Sequence, residues 1–441
     1  MRLLFAALLA FCLLPCAARA DQHWLAVSDL HVDPFGSDPQ PAGYHTDSNW
    51  PLFESALEAM HRAQPDPAVI FITGDLLAHQ WPAISRAHGQ SPAAAAEQTM
   101  QRIAHDFNRR FPRAQFVMVL GNNDDPCGDY QSSPGTPYFA HLARIWAPLV
   151  NRRGAAPGFM RDFSSTGAYT AKLPLPSVQA VALDDVSWAL LYRGCGRAAA
   201  DAARAQISML AQALHSSRAA HSIVVAHLPP GVDPQGTLLT HRLIIVPFLN
   251  GYWNAAALST LGRAKARVAF VLAGHTHRND FRLFDGVPVL VAPALSPIYD
   301  NNPGFLSLSV NADGTLADYS EYAYDEDSGT WGVQSDFKRA LSASGFNAVQ
   351  LTAAHARIER DADVRDRWAA MLMNGSQHRE VDRGNWRIFW CAQVDTGRSY
   401  AACAGARSRA EILPALAALL AAAVLFGLTL AVLRLARHRR A

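Results

Sequence analysis

The sequence encodes an α/β protein. Three observations predict this: short apolar runs recur along the first three hundred residues, each ends in a polar or glycine-containing turn, and stretches with helical apolar spacing separate them. The runs are continuous rather than alternating, which implies a sheet covered on both faces. In such sheets ligands gather at the carboxyl ends of the strands.

Trp24 to Val27 forms the first run and leads into Ser28-Asp29. Leu52, Ala56, Leu57 and Met60 follow with the spacing of one helix face. Val69 to Ile72 runs into Thr73-Gly74-Asp75, Ile103 and Phe107 mark a second helix, and Phe116 to Leu120 runs into Gly121-Asn122. Ile207, Leu210 and Leu214 predict a third helix, after which Ile223 to Ala226 leads into His227 and Val268 to Ala273 into Gly274-His275. From Gly304 to Tyr324 the pattern turns to alternation around Asp313-Gly314, the signature of a β-hairpin. Residues from about Trp331 to Asp382 look mostly helical, giving a C-terminal helical subregion over 331–404 that closes a body spanning 21–330.

Half the residues are hydrophobic and only 17% are charged, below the roughly 25% usual in soluble domains, so apolar segments are expected outside the body. Both ends supply one. Arg2 followed by the uncharged stretch Leu3 to Ala18 and then Ala18-Arg19-Ala20 reads as a signal peptide over 1–20, with Asp21 beginning the mature chain. Pro15 before Cys16 argues against a lipoprotein anchor. After a linker at 405–411, residues 412–433 run without a charge, close to the ~20 needed to cross a bilayer core. The basic tail at 434–441 marks the cytoplasmic side. The expectation is an exported, periplasmic or extracellular body anchored by one C-terminal transmembrane helix. Outside the signal lie Cys127, Cys195, Cys391 and Cys403, which an oxidising compartment would pair into two disulfides. Three pairings are open; Cys391 with Cys403 and Cys127 with Cys195 is preferred. The net charge of +2 gives no case for a nucleic-acid partner.

The polar residues at the strand ends are Asp29, His31, Asp75, Asn122, His227, His275 and His277. Singly, each has a plain explanation, since an Asp after a strand commonly forms a turn and a lone His is commonly a core or surface residue. Jointly, one group closes each of five runs, and carboxylate, amide and imidazole together suit two divalent ions such as zinc, manganese or iron. Asp29-x-His31 and His275-x-His277 each set alternate residues of an extended segment on one side. A carboxylate such as Asp75 can bridge two ions roughly 3.5–4 Å apart, the separation that clamps the oxygens of an in-line displacement at phosphorus.

D-x-H (Asp29, His31), G-D (Gly74, Asp75), G-N-x-D (Gly121 to Asp124), His227 and G-H-x-H (Gly274 to His277), in that order, resemble the calcineurin-like metallophosphoesterases. Gly74 to His79, Ala226 to Gly231, and Ala292-Pro293 leading to Asn302-Pro303-Gly304 are similar to the acid sphingomyelinase-like branch, which includes the vacuolar endopolyphosphatases. The resemblance covers roughly residues 22 to 403, including Trp390-Cys391-Ala392 and Cys403. It implies a sandwich of two mixed β-sheets flanked by helices. It also implies one metal on Asp29, His31, Asp75 and His277, a second on Asp75, Asn122, His227 and His275, and attack by a metal-bridging hydroxide on a phosphodiester, nucleotide or polyphosphate. The family has histidine after the ligand asparagine; here Asn123 stands there, able to donate a hydrogen bond but not to deliver a proton near neutral pH. His79, matching a second catalytic histidine of that branch, becomes the candidate acid. G-N-N-D is similar to the endopolyphosphatases and pulls the substrate toward polyphosphate or nucleotides. Arg278 and Asn279 follow the last ligand and are candidate substrate contacts, while Asp33 and Asp124 are expected to orient a ligand histidine or form turns. Asn123 also favours the alternative, a metal-binding module of the same fold whose catalysis has lapsed. A membrane receptor is disfavoured by the short tail.

Overall fold

The computed structural model describes residues 22–195, 199–241, 244–378 and 381–405. In chain order the strands are β1 (Gln22–Val27), β2 (Val69–Ile72), β3 (Gln115–Met118), β4 (Tyr169–Lys172), β5 (Val178–Ala182), β6 (His221–Val225), β7 (Val232–Asp233), β8 (Val246–Pro247), β9 (Val268–Ala273), β10 (Asp280–Phe284), β11 (Val287–Val291), β12 (Gly304–Val310), β13 (Leu316–Asp325) and β14 (Thr330–Asp336). They form two mixed sheets. The first, ordered β14-β13-β12-β1-β2-β3, has β1, β2 and β3 parallel and the rest antiparallel. The second, ordered β10-β11-β9-β6-β5-β4, is parallel through β5, β6, β9 and β11 with antiparallel strands at both edges. β7 and β8 form a small separate pair.

Helices cover both sheets because their apolar stripes have nowhere else to go. Trp50–Ala63 starts on Asn49, whose side chain accepts from Leu52 N at 3.1 Å, and buries Leu52, Phe53, Ala56, Leu57 and Met60. Phe53 meets Phe107 of helix Pro92–Arg110, which meets Phe116 of β3, with ring centroids 5.6 and 5.7 Å apart. On the second sheet, alternate residues of β6 divide. Ile223 and Val225 join the cluster shared with the first sheet, and Val224 joins the one that holds Leu210, Leu214 and Leu261 of helices Ala199–Ser216 and Gly251–Arg263.

The two-sheet α/β body agrees with expectation, two strand pairs were not anticipated, and one local expectation changes. β10 and β11, not anticipated from the sequence, are joined by Asp285-Gly286 with φ of 50° and 81° in a two-residue hairpin. β4 and β5, also not anticipated, are short: β4 alternates buried and exposed over only four residues and β5 is buried throughout. Trp331 opens no helix; it lies in β14, its ring tilted against Phe305 and Tyr324 with centroids at 5.5 Å, and the C-terminal helices begin only at Phe337.

The expected signal 1–20, membrane span 412–433 and basic tail lie outside the described residues. Among the described residues no helix is long and apolar enough to cross a membrane. The described residues therefore give no support to the expected single-span anchor: amphipathic helices such as Trp50–Ala63 spend their apolar stripes on the sheets.

Candidate metal centre

The loops after β1, β2, β3, β6 and β9 meet at one place, and the seven expected ligand residues come together there. Asp29, His31 and Asp75 offer ligand atoms within 4.8 Å of one another, as do Asp75, His227 and His275. Asp75 belongs to both groups: its Oδ2 lies 3.4 Å from His31 Nε2 and 3.4 Å from His227 Nε2. His277 Nε2 is 3.5 Å from Asp29 Oδ1 and 3.1 Å from His31 Nε2.

Backbone conformation carries part of the cost of this convergence. Asp29, His31, Asp75, His275 and His277 have φ of 48°, 40°, 52°, 71° and 57°. Such left-handed non-glycine residues cost roughly 1–3 kcal/mol each and persist where the surroundings over-determine them. Here Asp29 N donates to Gly74 O at 3.0 Å, His31 N to Asp75 O at 2.9 Å, and His275 N to Asp29 Oδ2 at 2.9 Å. Glycine is needed where loops touch: a Cβ on Gly274 would stand 2.8 Å from Asp29 Oδ2, and one on Gly121 2.7 Å from the Asp75 carboxyl carbon.

The ring orientations fit bound cations. His31 Nδ1 lies 3.0 Å from Leu77 O and His227 Nδ1 2.7 Å from Thr73 O, so each ring carries a proton on Nδ1 and turns Nε2 inward. Asn122 turns Nδ2 to Asp129 Oδ1 at 2.7 Å and Oδ1 to His227 Nε2 at 2.9 Å. When His227 is neutral two acceptor atoms face each other in a buried pocket, an arrangement that either a proton on Nε2 or a cation between them resolves. Burial takes His31 down to about 4, with His79 adding to the effect, and His275 down to about 3, with His227 adding. Both rings are therefore unprotonated near neutral pH, as metal ligands must be. Burial would lower His227 and raise Asp75, but their mutual attraction outweighs it, taking the imidazole up to about 10 and holding the carboxyl well below the carboxylate range, so a cation entering here displaces a proton from His227 Nε2.

Asp124 organises the turn, accepting Leu76 N and Leu77 N on Oδ1 at 2.7 and 3.0 Å and Gly121 N on Oδ2 at 2.8 Å. Asn123 donates from its backbone to Asp75 Oδ1 at 2.7 Å and from Nδ2 to Asp75 Oδ2 at 2.9 Å. Asn123, expected among the catalytic residues as a hydrogen-bond donor, thus donates to Asp75. His79 stacks on His31 with centroids 4.0 Å apart, and Asp47 grips it twice, from Oδ1 to Nδ1 at 2.7 Å and from Oδ2 to the backbone N at 2.8 Å. Burial works against charging this imidazole, but the hydrogen bond and charge of Asp47 outweigh it and raise it above its ordinary value.

Arg278 is buried, donating to Gln235 Oε1 at 2.9 Å and Thr276 O at 2.7 Å, and it lines a cavity of about 160 Å³ with Tyr130, Phe248, His275 and Tyr299. Asn279 is corrected as a substrate contact: it is fully buried, and its Oδ1 accepts from Tyr319 at 3.0 Å in the core. Cys127 is joined to Cys195 and Cys391 to Cys403. Asp125 lies beside the first pair, whose sulfurs are committed to each other. Sequence reasoning missed Asp47, Asp129, Tyr130 and Tyr299, which sit in loops without periodicity; no pattern in the chain marks them.

The family model of the calcineurin-like phosphoesterases matches residues 24–279. Acid sphingomyelinase-like phosphodiesterase 3b of Homo sapiens is 28% identical over 313 residues, 64% of this chain, and the chain spans 64% of that protein's length. The Mus musculus protein of the same name is 25% identical over 331 residues, 68% of each chain. A dimetal phosphatase from Danio rerio has a TM-score of 0.44 at 12% identity, covering 69% of this chain and 96% of that one.

Proposed function

Because the chain belongs to the calcineurin-like phosphoesterase family, we propose that it is a dinuclear-metal hydrolase of phosphodiester or phosphoanhydride bonds. Asp75 carries this reading, since one carboxylate reaches inward-facing imidazole nitrogens of both ligand groups at 3.4 Å. Asp29, His31, Asp75 and His277 would hold one ion and Asp75, Asn122, His227 and His275 the other. Two such ions supply Lewis acidity at phosphoryl oxygens and bring the pKa of bound water toward about 7. Asn123 keeps both Asp75 oxygens in place. His79, with Nδ1 on Asp47, delivers a proton from Nε2 to the leaving oxygen and is left as the neutral tautomer that Asp47 stabilises. The cavity lined by Arg278, Gln235 and Tyr299 takes the part of the substrate beyond the reacting phosphorus. The named relatives are phosphodiesterases, which supports a diester; the Asn122-Asn123-Asp124 turn supports nucleotides or polyphosphate.

Asn123 supports the second reading, a metal-binding module without turnover. The full chain and Asp75→Asn, loaded with manganese or zinc, separate the two when metal content is measured beside hydrolysis of bis-p-nitrophenyl phosphate, ATP, polyphosphate and sphingomyelin. Turnover by the wild type and its loss in the variant are expected. Two bound ions without turnover on any of these would move the assignment to the binding module.

A further inference from the structure

The amide of an asparagine offers an oxygen and a nitrogen of nearly the same shape, and only the oxygen can ligate a cation. Something must therefore decide which end of Asn122 faces the centre. Its Nδ2 donates to Asp129 Oδ1 at 2.7 Å, and an ionised carboxylate only accepts, so the nitrogen is drawn outward and Oδ1 is left 2.9 Å from His227 Nε2. Asp129 is itself held on a braced loop. Gly128 N donates to Asp125 O at 2.9 Å, Tyr130 N returns to Asn122 O at 2.9 Å, Arg193 N donates to Tyr130 O at 3.2 Å, and Cys127 is bonded to Cys195. The next residue on the loop, Tyr130, places its hydroxyl 3.2 Å from His275 Nε2, so two neighbours each touch a residue of the same ligand group.

We propose that Asp129 is the positioning residue that fixes the Asn122 amide for cation binding, and that the loop around it sets the affinity of the half of the centre formed by Asn122, His227 and His275. This rests on the dinuclear reading above. Removing a partner that orients a metal ligand typically costs 10–100-fold in metal affinity.

The test is a cobalt titration of the full chain followed by visible absorption and by metal content. The wild type takes two equivalents, whereas Asp129→Ala takes one as the wild type does and binds the other 10–100-fold more weakly. Asp129→Asn, which keeps an acceptor oxygen, stays within a few-fold of wild type. A role limited to bracing the fold is separated by repeating Asp129→Ala in an Asn122→Asp background. A carboxylate there has no end to orient and repels Asp129, so the second substitution leaves affinity unchanged or improves it. Equal affinities in wild type and Asp129→Ala, or weakening of the same size in both backgrounds, overturns the proposal. Failure of the wild type to bind two ions instead overturns the dinuclear reading.

Discussion

Asn123 and His79 divide between them tasks that one residue could not perform here. The Asn123 amide is committed to Asp75, and an amide carries no transferable proton near neutrality. His79 is held by Asp47 beside the ligand rings and has Tyr299 Oη 3.5 Å from its Nε2. If His79 is the acid, its value depends on the leaving group. p-Nitrophenolate departs without protonation, whereas an alkoxide needs a proton, and positioned general acids contribute on the order of 100-fold or more. His79→Gln is therefore expected to lose on the order of 100-fold in kcat on an alkyl phosphodiester and only a few-fold on bis-p-nitrophenyl phosphate. Equal losses on both would remove His79 from proton delivery. The candidate ligands were legible in the chain because they follow the ends of apolar runs, where loop geometry leaves little choice of direction. Asp47 and Asp129 were not, since their partners lie 32 and 7 positions away across loops with no repeat.

The strands beneath the site show the same division. β1, β2, β3, β6 and β9 are uninterrupted apolar runs and were readable as such, while β13 hides a carboxyl that no period reveals. Glu321 is fully buried between Leu306 of β12 and Ser335 of β14, with Oε2 accepting from Ser335 Oγ at 2.7 Å. Burial pushes this carboxyl up to about 8 from its ordinary 4.5, against the pull of the Ser335 hydrogen bond. The folded protein therefore keeps a proton that the unfolded chain releases above about 4.5. The stability this contributes is full below that value and is lost as pH rises through about 8. A single such group changes stability by at most about 1.4 kcal/mol per pH unit. Urea unfolding of the wild type should weaken between pH 5 and 8 relative to Glu321→Gln, whose amide keeps an acceptor and does not titrate. Parallel profiles for the two proteins would show that Glu321 is ionised in the folded state.

Asp29, His31, Asp75 and Asn122 come from loops of the first sheet, and His227, His275 and His277 from loops of the second. Two ions held by that set would be cross-links between the sheets at the end where the strands' carboxyl termini open toward substrate. The protein's own links there include His275 N on Asp29, Ser296 N on Asp29 O and His227 Nδ1 on Thr73 O. Cation binding to the folded state alone adds about 2.7 kcal/mol when the free ion stands at 100 times its Kd, and the unfolded chain has no equivalent site. That energy shifts a melting midpoint by a few degrees in a chain of this size. Chelation of the full chain is therefore expected to lower Tm by several degrees, reversibly on return of manganese or zinc. Asp75→Asn, which weakens both halves at once, should melt at nearly the same temperature with and without chelator. If the wild type binds two ions and its Tm does not respond to their removal, the sheets are held together without them. The ions' contribution would then be confined to chemistry at phosphorus.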